Sequence, residues 1–347
     1  MTHTTVGYLI GFKKFGRNPL LHQKIETIFE EGEGSKSLPG LCLDLLSKQQ
    51  KTWEDLRKGC ESFKDLRERD VDCRGFPVRL QYNPGRMKSS TAPVGERERN
   101  KHLCFLCLDH LPEAQKGIFY RGEYLILCNP MPILPSHFTV SHVDHRHQAV
   151  DEHIETFLQL MTDLGPGWTV LYNGPKCGAS APDHLHFQAA LSGKMPIERN
   201  IQEENRRTLI KSLGGVLLYR LTELGREVIV LDGSNPSALV DAFRRFLNAL
   251  RKVLLRDDEP MINMVGFCDG KKWRLVIFPR RKHRPDAFFR EGEARMLISP
   301  GAIDMGGLLI TPVVKDFERL DAATVEGIYS EVSLEREIIE KAIGALQ

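Results

Sequence analysis

The chain has 347 residues, of which 41% are hydrophobic, so it is long enough for two compact domains or one large duplicated domain. Its 48 Lys and Arg residues are matched by 46 Asp and Glu residues, which excludes a strong net field that would by itself recruit nucleic acid or a membrane surface. Residues 1–12 lack the pattern of a secretory signal, and no apolar stretch approaches the length of a transmembrane span, so we expect a cytoplasmic protein. In a reducing compartment, its 8 cysteines are better suited to hold metal or to stay free than to form disulfides.

The predicted elements begin with a polar helical segment and continue into a β-rich region. Helical spacing over residues 20–30 and 45–66, separated by a glycine-containing break at 32–40, predicts a flanking helical element over residues 1–70. Alternating or β-branched runs and turn residues then predict the next elements in chain order. These are strands at 76–82, 124–128 and 138–141, a helix at 150–164, and strands at 168–172 and 184–191.

The downstream sequence repeats this order, which predicts a duplicated chain. The repeat consists of a strand at 215–221, a helix at 236–255 behind Asn235 as a cap, and strands at 261–267 and 273–278. The second copy has Trp273 and Arg274 where the first has its histidines, so we expect chemistry in the first half alone. The predicted domains are a helical N-terminal element (1–70), a catalytic half (71–205) and a degenerate second half (206–347) that ends in a helix at 322–346.

Polar residues recur at every second position after a small-residue loop. His184, His186 and Gln188 would share one face of an extended strand, while the apolar residues between them face a core. The preceding loop contains Gly178 and Ser180, whose small side chains would let backbone N–H groups approach phosphate. This stretch is therefore the predicted site of chemistry.

Cysteines and histidines also suggest a metal site. Cys104 and Cys107 form a Cys-x-x-Cys knuckle, and two thiolates with two imidazoles suit tetrahedral zinc. The spacing alone leaves the histidines open, because rival ligands crowd the region after the strand that contains His137. Those rivals are His142, His145 and His147. A pair of buried free thiols without metal is the alternative.

The stretch His-Leu-His-Phe-Gln at residues 184–188 resembles the His-φ-His-φ-Gln signature of the galactose-1-phosphate uridylyltransferase branch of the histidine-triad superfamily. Residues 81–86, Gln-Tyr-Asn-Pro-Gly-Arg, are similar to a segment of plant GDP-L-galactose phosphorylases. Residues 299–307 resemble a late glycine-containing segment of diadenosine tetraphosphate phosphorylases. The resemblance covers about residues 75–315 and implies an α+β fold of two histidine-triad-like halves with antiparallel sheet and flanking helices.

The resemblance also implies roles for individual residues. His186 would attack the α-phosphorus of a nucleotide and form a nucleotidyl-imidazole intermediate, for which a neutral ring is needed. Gln188 stands where the hydrolase branch has a third histidine, and it can donate an amide hydrogen bond but no proton. The implied substrate contacts are Asn83, Arg86, Asn173, Gly178 and Ser180. The implied ligands of a structural zinc are Cys104, Cys107, His137 and His184.

These roles predict a nucleotidyltransferase or phosphorylase that acts on a nucleoside diphosphate sugar or a dinucleoside polyphosphate. Phosphate or a sugar phosphate would be the acceptor, and a homodimer is compatible with the sequence. The alternatives are hydrolysis of the same donors by water and a nucleotide-binding protein without turnover. The basic run at residues 280–284 is predicted either to clamp phosphate or to form a solvated face.

Overall fold

The main element of the fold is a long sheet of 11 strands. The structure is a computed structural model that describes residues 19–30, 32, 36–87 and 103–346. In these parts of the chain the strands have the following bounds. They are β1 (Ile25–Phe29), β2 (Arg67–Cys73), β3 (Phe76–Tyr82), β4 (Gly117–Tyr120), β5 (Tyr124–Cys128), β6 (Phe138–His142), β7 (Trp168–Asn173), β8 (His186–Leu191), β9 (Arg207–Leu213), β10 (Val216–Leu221), β11 (Val228–Gly233), β12 (Ile262–Cys268), β13 (Trp273–Pro279) and β14 (Leu308–Thr311).

Helices flank the sheet and connect its strands. They are α1 (Pro19–Lys24), α2 (Leu38–Thr52), α3 (Glu54–Glu61), α4 (Ile154–Leu164), α5 (Ile197–Asn200), α6 (Pro236–Leu254), α7 (Ala302–Met305), α8 (Val314–Arg319), α9 (Ala322–Val332) and α10 (Arg336–Gly344). The predicted cap is present, because the Asn235 side chain accepts a hydrogen bond from the Ala238 N–H at the start of α6. None of the helices in the described ranges is long and apolar enough to span a membrane.

The long sheet is built from two copies of one topology. Its strand order is β1-β4-β5-β6-β8-β7-β12-β13-β11-β10-β9. In each copy three strands precede a helix and two strands follow it, with α4 in the first copy and α6 in the second. The copies join through antiparallel pairing of β7 with β12, so one continuous sheet carries both. The predicted α+β fold of two antiparallel halves with flanking helices is confirmed.

The two faces of the long sheet are covered differently. Helices α4 and α6 bury one face and form a core with apolar residues of β5, β7 and β8, among them Phe187 and Ala189, and with Leu185 immediately before β8. The other face packs against a three-stranded sheet of order β14-β3-β2 and helices α8 and α9. The predicted alternation along β8 is therefore observed, with Phe187 and Ala189 facing the helix-covered core and His186 and Gln188 facing the other side.

Some elements differ from those predicted. Residues 25–29 lie in the predicted helix 20–30 but form β1, because they pair in parallel with β4. The predicted C-terminal helix is interrupted after α9, where Leu334 N–H donates to the Pro279 carbonyl at the end of β13 (3.0 Å). Edge strands β2 and β9 lacked a clear apolar alternation in the sequence, because most of their residues are exposed or half-buried.

Candidate functional site

A cavity of about 530 Å³ lies beside the first residues of β8. Most of the side chains predicted for catalysis and substrate contact line it, namely His186, Gln188, Arg86, Asn173, Gly178 and Ser180. Its remaining wall is largely apolar and includes Trp53, Leu106, Leu111, Leu127 and Ile133. A cavity with a few converging polar groups and an apolar wall is the usual form of a small-molecule site.

His186 begins β8 and is 4% exposed. Its Nδ1 lies 2.8 Å from the carbonyl oxygen of His184, to which it donates a hydrogen bond. This contact assigns the proton to Nδ1, so Nε2 retains a lone pair. Burial lowers the pKa of His186 to about 4, and the ring is neutral at physiological pH. The ring therefore has the protonation state that a nucleophile requires.

Gln188 is held by the buried imidazole of His137. The Ile133 N–H donates to His137 Nδ1 (3.2 Å), so the ring proton is on Nε2, which donates to Gln188 Oε1 at 2.8 Å. Burial lowers the pKa of His137 to about 4, which keeps this ring neutral. Because the Gln188 oxygen is occupied, its amide NH₂ group is the end left for the cavity.

The glycine loop that precedes β8 packs against a loop of the second half. Gly178 has φ +89°, and a Cβ atom built on it would lie 2.8 Å from Gly301 Cα. Asn173 Oδ1 accepts hydrogen bonds from Ala302 N–H and Asn263 Nδ2, both at 2.7 Å. Asn173 thus joins the two loops at the cavity, in addition to lining it.

The second half contributes residues that were not predicted as site residues. Ser299, Gly301 and Asp304 line the cavity. Asp304 accepts hydrogen bonds from the Gly301 and Ile310 N–H groups, both at 2.9 Å, and burial raises its pKa to about 6. The signal that could have found them was the resemblance of residues 299–307 to a glycine-containing segment of phosphorylases.

The two predicted residues after β3 have different positions. Arg86 lines the cavity, and burial lowers its pKa to about 10 despite the opposing effect of the Asp304 carboxylate. Asn83 is 2% exposed and does not line the cavity. Its Oδ1 accepts from Gly85 N–H (3.1 Å), which caps the turn that presents Arg86. The structure thus places Asn83 at the support of this turn and away from the cavity lining, whereas the sequence predicted a substrate contact there.

Cys104, Cys107, His145 and His184 form a cluster whose ligand atoms all lie within 4.8 Å of one another. His184 Nδ1 is 3.2 Å from Cys104 Sγ, and Cys107 Sγ is 3.1 Å from His145 Nδ1. The predicted ligand set is therefore corrected at one position, from His137 to His145. His137 uses both ring nitrogens for Ile133 and Gln188, whereas the turn after β6 brings His145 to the thiols.

The cluster has the chemistry of a metal site. His184 Nε2 donates to the His142 carbonyl (2.8 Å), which leaves the Nδ1 lone pair on the side of the thiols. Burial, with the neighbouring Cys104, raises the pKa of Cys107 to about 12, so a thiolate here needs a nearby cation. The four side chains could therefore hold a metal ion, and the carbonyl of one of them, His184, fixes the tautomer of His186.

The first residue of the basic run is neither a phosphate clamp nor solvated. Arg280 is 1% exposed and donates to the Pro300 carbonyl (2.9 Å), the Val332 carbonyl (3.1 Å) and Asn263 Oδ1 (2.5 Å). It also donates to the carbonyls of Lys282 and His283. Arg280 therefore supports the loop that reaches the cavity and does not line it.

Comparisons with known proteins place the chain among similar folds. A protein-family model described as a domain of unknown function (DUF4922) matches residues 45–191. Among curated proteins, none matches the sequence.

Two solved structures of one yeast protein cover most of this chain. Yeast Ap4A phosphorylase Apa2 in complex with Ap4A is 14% identical, with 84% of this chain and 97% of that chain covered and a TM-score of 0.55. The same protein in complex with AMP is 16% identical, with 84% and 96% covered and a TM-score of 0.52. At this identity the likeness concerns the fold, and the histidine-triad-like fold that the resemblance implied is confirmed.

Proposed function

We propose that this protein is a nucleotidyltransferase of the phosphorylase type, with His186 as its nucleophile. The donor would be a nucleoside diphosphate sugar or a dinucleoside polyphosphate, and the acceptor would be phosphate or a sugar phosphate. One observation carries the proposal. The ring of His186 is neutral, has its proton fixed on Nδ1 and borders the cavity.

The reaction takes two displacement steps. In the first, the Nε2 lone pair of His186 attacks the α-phosphorus, a P–N bond forms, and the P–O bond to the leaving phosphate group breaks. The leaving oxygen keeps the bonding electrons and departs as a phosphate or phosphate ester. In the second step, an acceptor phosphate oxygen attacks the same phosphorus and releases the neutral imidazole. This order predicts ping-pong kinetics.

Hydrogen-bond donors around the ring support the transfer. Gln188 can donate through its amide to a phosphoryl oxygen, because its own oxygen accepts from His137. A glutamine cannot protonate a leaving group, so donors with phosphate leaving groups fit this site better than phosphoramidates. Gly178 and Ser180 would bring backbone N–H groups and a hydroxyl to the phosphates.

We infer that the metal of the cluster is a structural zinc held by Cys104, Cys107, His145 and His184. Two thiolates and two imidazoles complete a tetrahedral shell, which leaves no position for substrate. When bound, the ion would supply a rigid attachment for the start of β8. It takes no part in either step of the transfer.

The fold likeness supports the choice of phosphate-linked nucleotides as donors. The yeast protein of similar fold is an Ap4A phosphorylase and has been solved with Ap4A and with AMP. Similarity of residues 81–86 to plant phosphorylases makes a nucleoside diphosphate sugar our first choice of donor.

The test is product identity with a panel of nucleoside diphosphate sugars and dinucleoside polyphosphates, with and without inorganic phosphate. We expect products that change when phosphate is added and an acid-labile nucleotidyl adduct on His186 when acceptor is withheld. His186→Gly should keep the fold and abolish both. Products unaffected by phosphate would indicate a hydrolase. A folded wild type that gives neither turnover nor adduct would indicate a binding protein.

A further inference from the structure

The backbone of His186 is held by a side chain that lies outside the cavity. Pairing of β7 with β8 ends at Leu171 and Gln188. If this register continued by two residues, Asn173 would lie opposite His186. The structure places the side chain of Gln148 between them instead, and Gln148 is completely buried.

The amide of Gln148 takes the place of a peptide group between the two strands. Its Oε1 accepts from the His186 N–H at 2.8 Å. Its Nε2 donates to the carbonyls of His186 (3.1 Å) and Asn173 (2.8 Å). Both amide hydrogens and the oxygen are therefore used, and the backbone of His186 is satisfied without direct pairing to β7.

The segment that carries Gln148 is fixed on both sides. On one side, the Leu185 N–H donates to the Arg146 carbonyl at 2.7 Å. On the other side, the Val150 N–H donates to Glu259 Oε2 at 2.7 Å. Glu259 also accepts from the Tyr172 hydroxyl (2.6 Å), so this anchor is tied to β7 itself. These hydrogen bonds hold the backbone on both sides of Gln148 in place.

We propose that Gln148 is a positioning residue for the nucleophile, which it acts on by holding the His186 backbone apart from Asn173. The inference rests on the proposed function, because it assigns a role toward the residue that would carry the nucleotide. The Gln148 side chain fixes the position of the His186 backbone, from which the imidazole extends. The His184 carbonyl fixes the rotation and the tautomer of the ring. Asn173, on the other side of the Gln148 side chain, contacts the loop of the second half.

Gln148→Met tests this because methionine is similar in length and forms none of the three hydrogen bonds. We expect the rate of adduct formation to fall by at least about 10²-fold, as for misplacement of a reacting group by about 1 Å. Nucleotide affinity and metal content should be unchanged, because Gln148 touches neither the cavity nor the Cys and His cluster.

Gln49→Met is the matched control. Gln49 is 3% exposed, accepts from the Lys116 N–H (2.8 Å) and donates to the Ala114 carbonyl (3.1 Å), and it does not line the cavity. It should keep the wild-type rate. Gln148→Glu retains the acceptor and, when protonated, one donor, so it should recover part of the rate and extend the test if Gln148→Met fails to fold.

Two results would overturn the inference. One is wild-type adduct formation in both Gln148 variants, and the other is an equal loss in Gln49→Met. NMR spectra of histidine-labelled protein report the tautomer of the His186 ring without turnover, and they separate this question from the proposed function. If the wild type forms no adduct, nucleotidyl transfer is wrong. An unchanged tautomer and unchanged ring chemical shifts of His186 in the Gln148 variants would by themselves contradict the positioning role.

Discussion

Three imidazoles in this site differ in which nitrogen carries the proton, and the backbone decides each case. His186 has its proton on Nδ1 because the His184 carbonyl accepts it, whereas His137 has its proton on Nε2 because Ile133 donates to Nδ1. His184 donates from Nε2 and leaves Nδ1 to the thiols. The same side chain is thus suited to be a nucleophile, an orienting donor or a metal ligand.

Substitution of His137 should distinguish a role in orienting Gln188 from a role as a metal ligand. In His137→Leu we expect turnover to fall by about 10²-fold, because the Gln188 amide is free to turn its oxygen toward the phosphate. Metal content by elemental analysis should stay at the wild-type value. His145→Ala is the control, and it should lose metal. Loss of metal in His137→Leu would instead support the ligand set predicted from the sequence, which includes His137.

The depressed pKa of His137 gives a pH dependence of stability with a defined sign. Its pKa is about 4 in the folded chain and about 6.5 when unfolded, so between these values the unfolded chain binds the extra proton. The stability contributed by the neutral ring is complete above about pH 6.5 and is lost as the pH falls to about 4. Its size is up to about 3 kcal/mol.

The comparison of wild type with His137→Leu isolates this contribution. The wild-type advantage in the free energy of unfolding should shrink by up to about 3 kcal/mol from pH 7 to pH 4, measured by denaturant titration. Asp304 and Glu259 have raised pKa values and act in the opposite sense, but they are common to both proteins. A difference that does not vary with pH would contradict the assignment.

At the scale of elements, the site depends on close contact between two loops. The loop after β7 and the loop before α7 come from different halves, and they meet backbone to backbone at Gly178 and Gly301. Neither loop could form this contact with a larger residue at position 178. Through this contact, loops from both halves of the sheet line a single cavity.

Gly178→Ala should therefore impair both stability and nucleotide binding. The left-handed conformation alone costs about 1–2 kcal/mol, and the contact with Gly301 should add to it. Gly215→Ala is the matched control, because Gly215 has φ +88° with no atom within 4 Å of the added Cβ. Denaturant unfolding and nucleotide titration of both variants check this. Equal effects on nucleotide binding would exclude a role of the loop contact.

At the scale of the whole molecule, the second half contributes residues to the cavity although it lacks the His-x-His pair of the first half. It continues the sheet through β12, and it supplies the loop that carries Ser299 and Asp304 to the cavity. Arg280 links this loop to β12 through Pro300 and Asn263. The second half thus forms part of the cavity wall.

Arg280→Met should destabilise the whole chain by at least about 3 kcal/mol, because several buried carbonyls lose their donor at once. The neighbouring Arg281→Met is the control. Its side chain is 40% exposed and paired with Glu335, so we expect a change within about 1 kcal/mol. Free energies of unfolding from denaturant titration decide between these values. A similar, small change in both would mean that Arg280 does not hold the loop.

Local pattern was enough to predict the strand that begins at His186, the core helices and the duplication. Alternation of side chains along β8 sets the faces of His186, Gln188 and Phe187 in any sheet, and helical periodicity sets the buried sides of α4 and α6. The Cys-x-x-Cys spacing likewise brings Cys104 and Cys107 together in one turn. These features depend on neighbours in sequence, so the sequence by itself determined them.

Tertiary structure alone decided which histidine joins the thiols and what surrounds His186. His137 and His145 lie close in sequence, and the direction of the chain after β6 separates their roles. Distant partners likewise form strand β1, place Gln148 between Asn173 and His186, and hold the loop of Asp304 through the contact of Ala302 with Asn173. A residue gains such a partner only when the whole sheet has assembled, because local periodicity contains no information about contacts between distant segments.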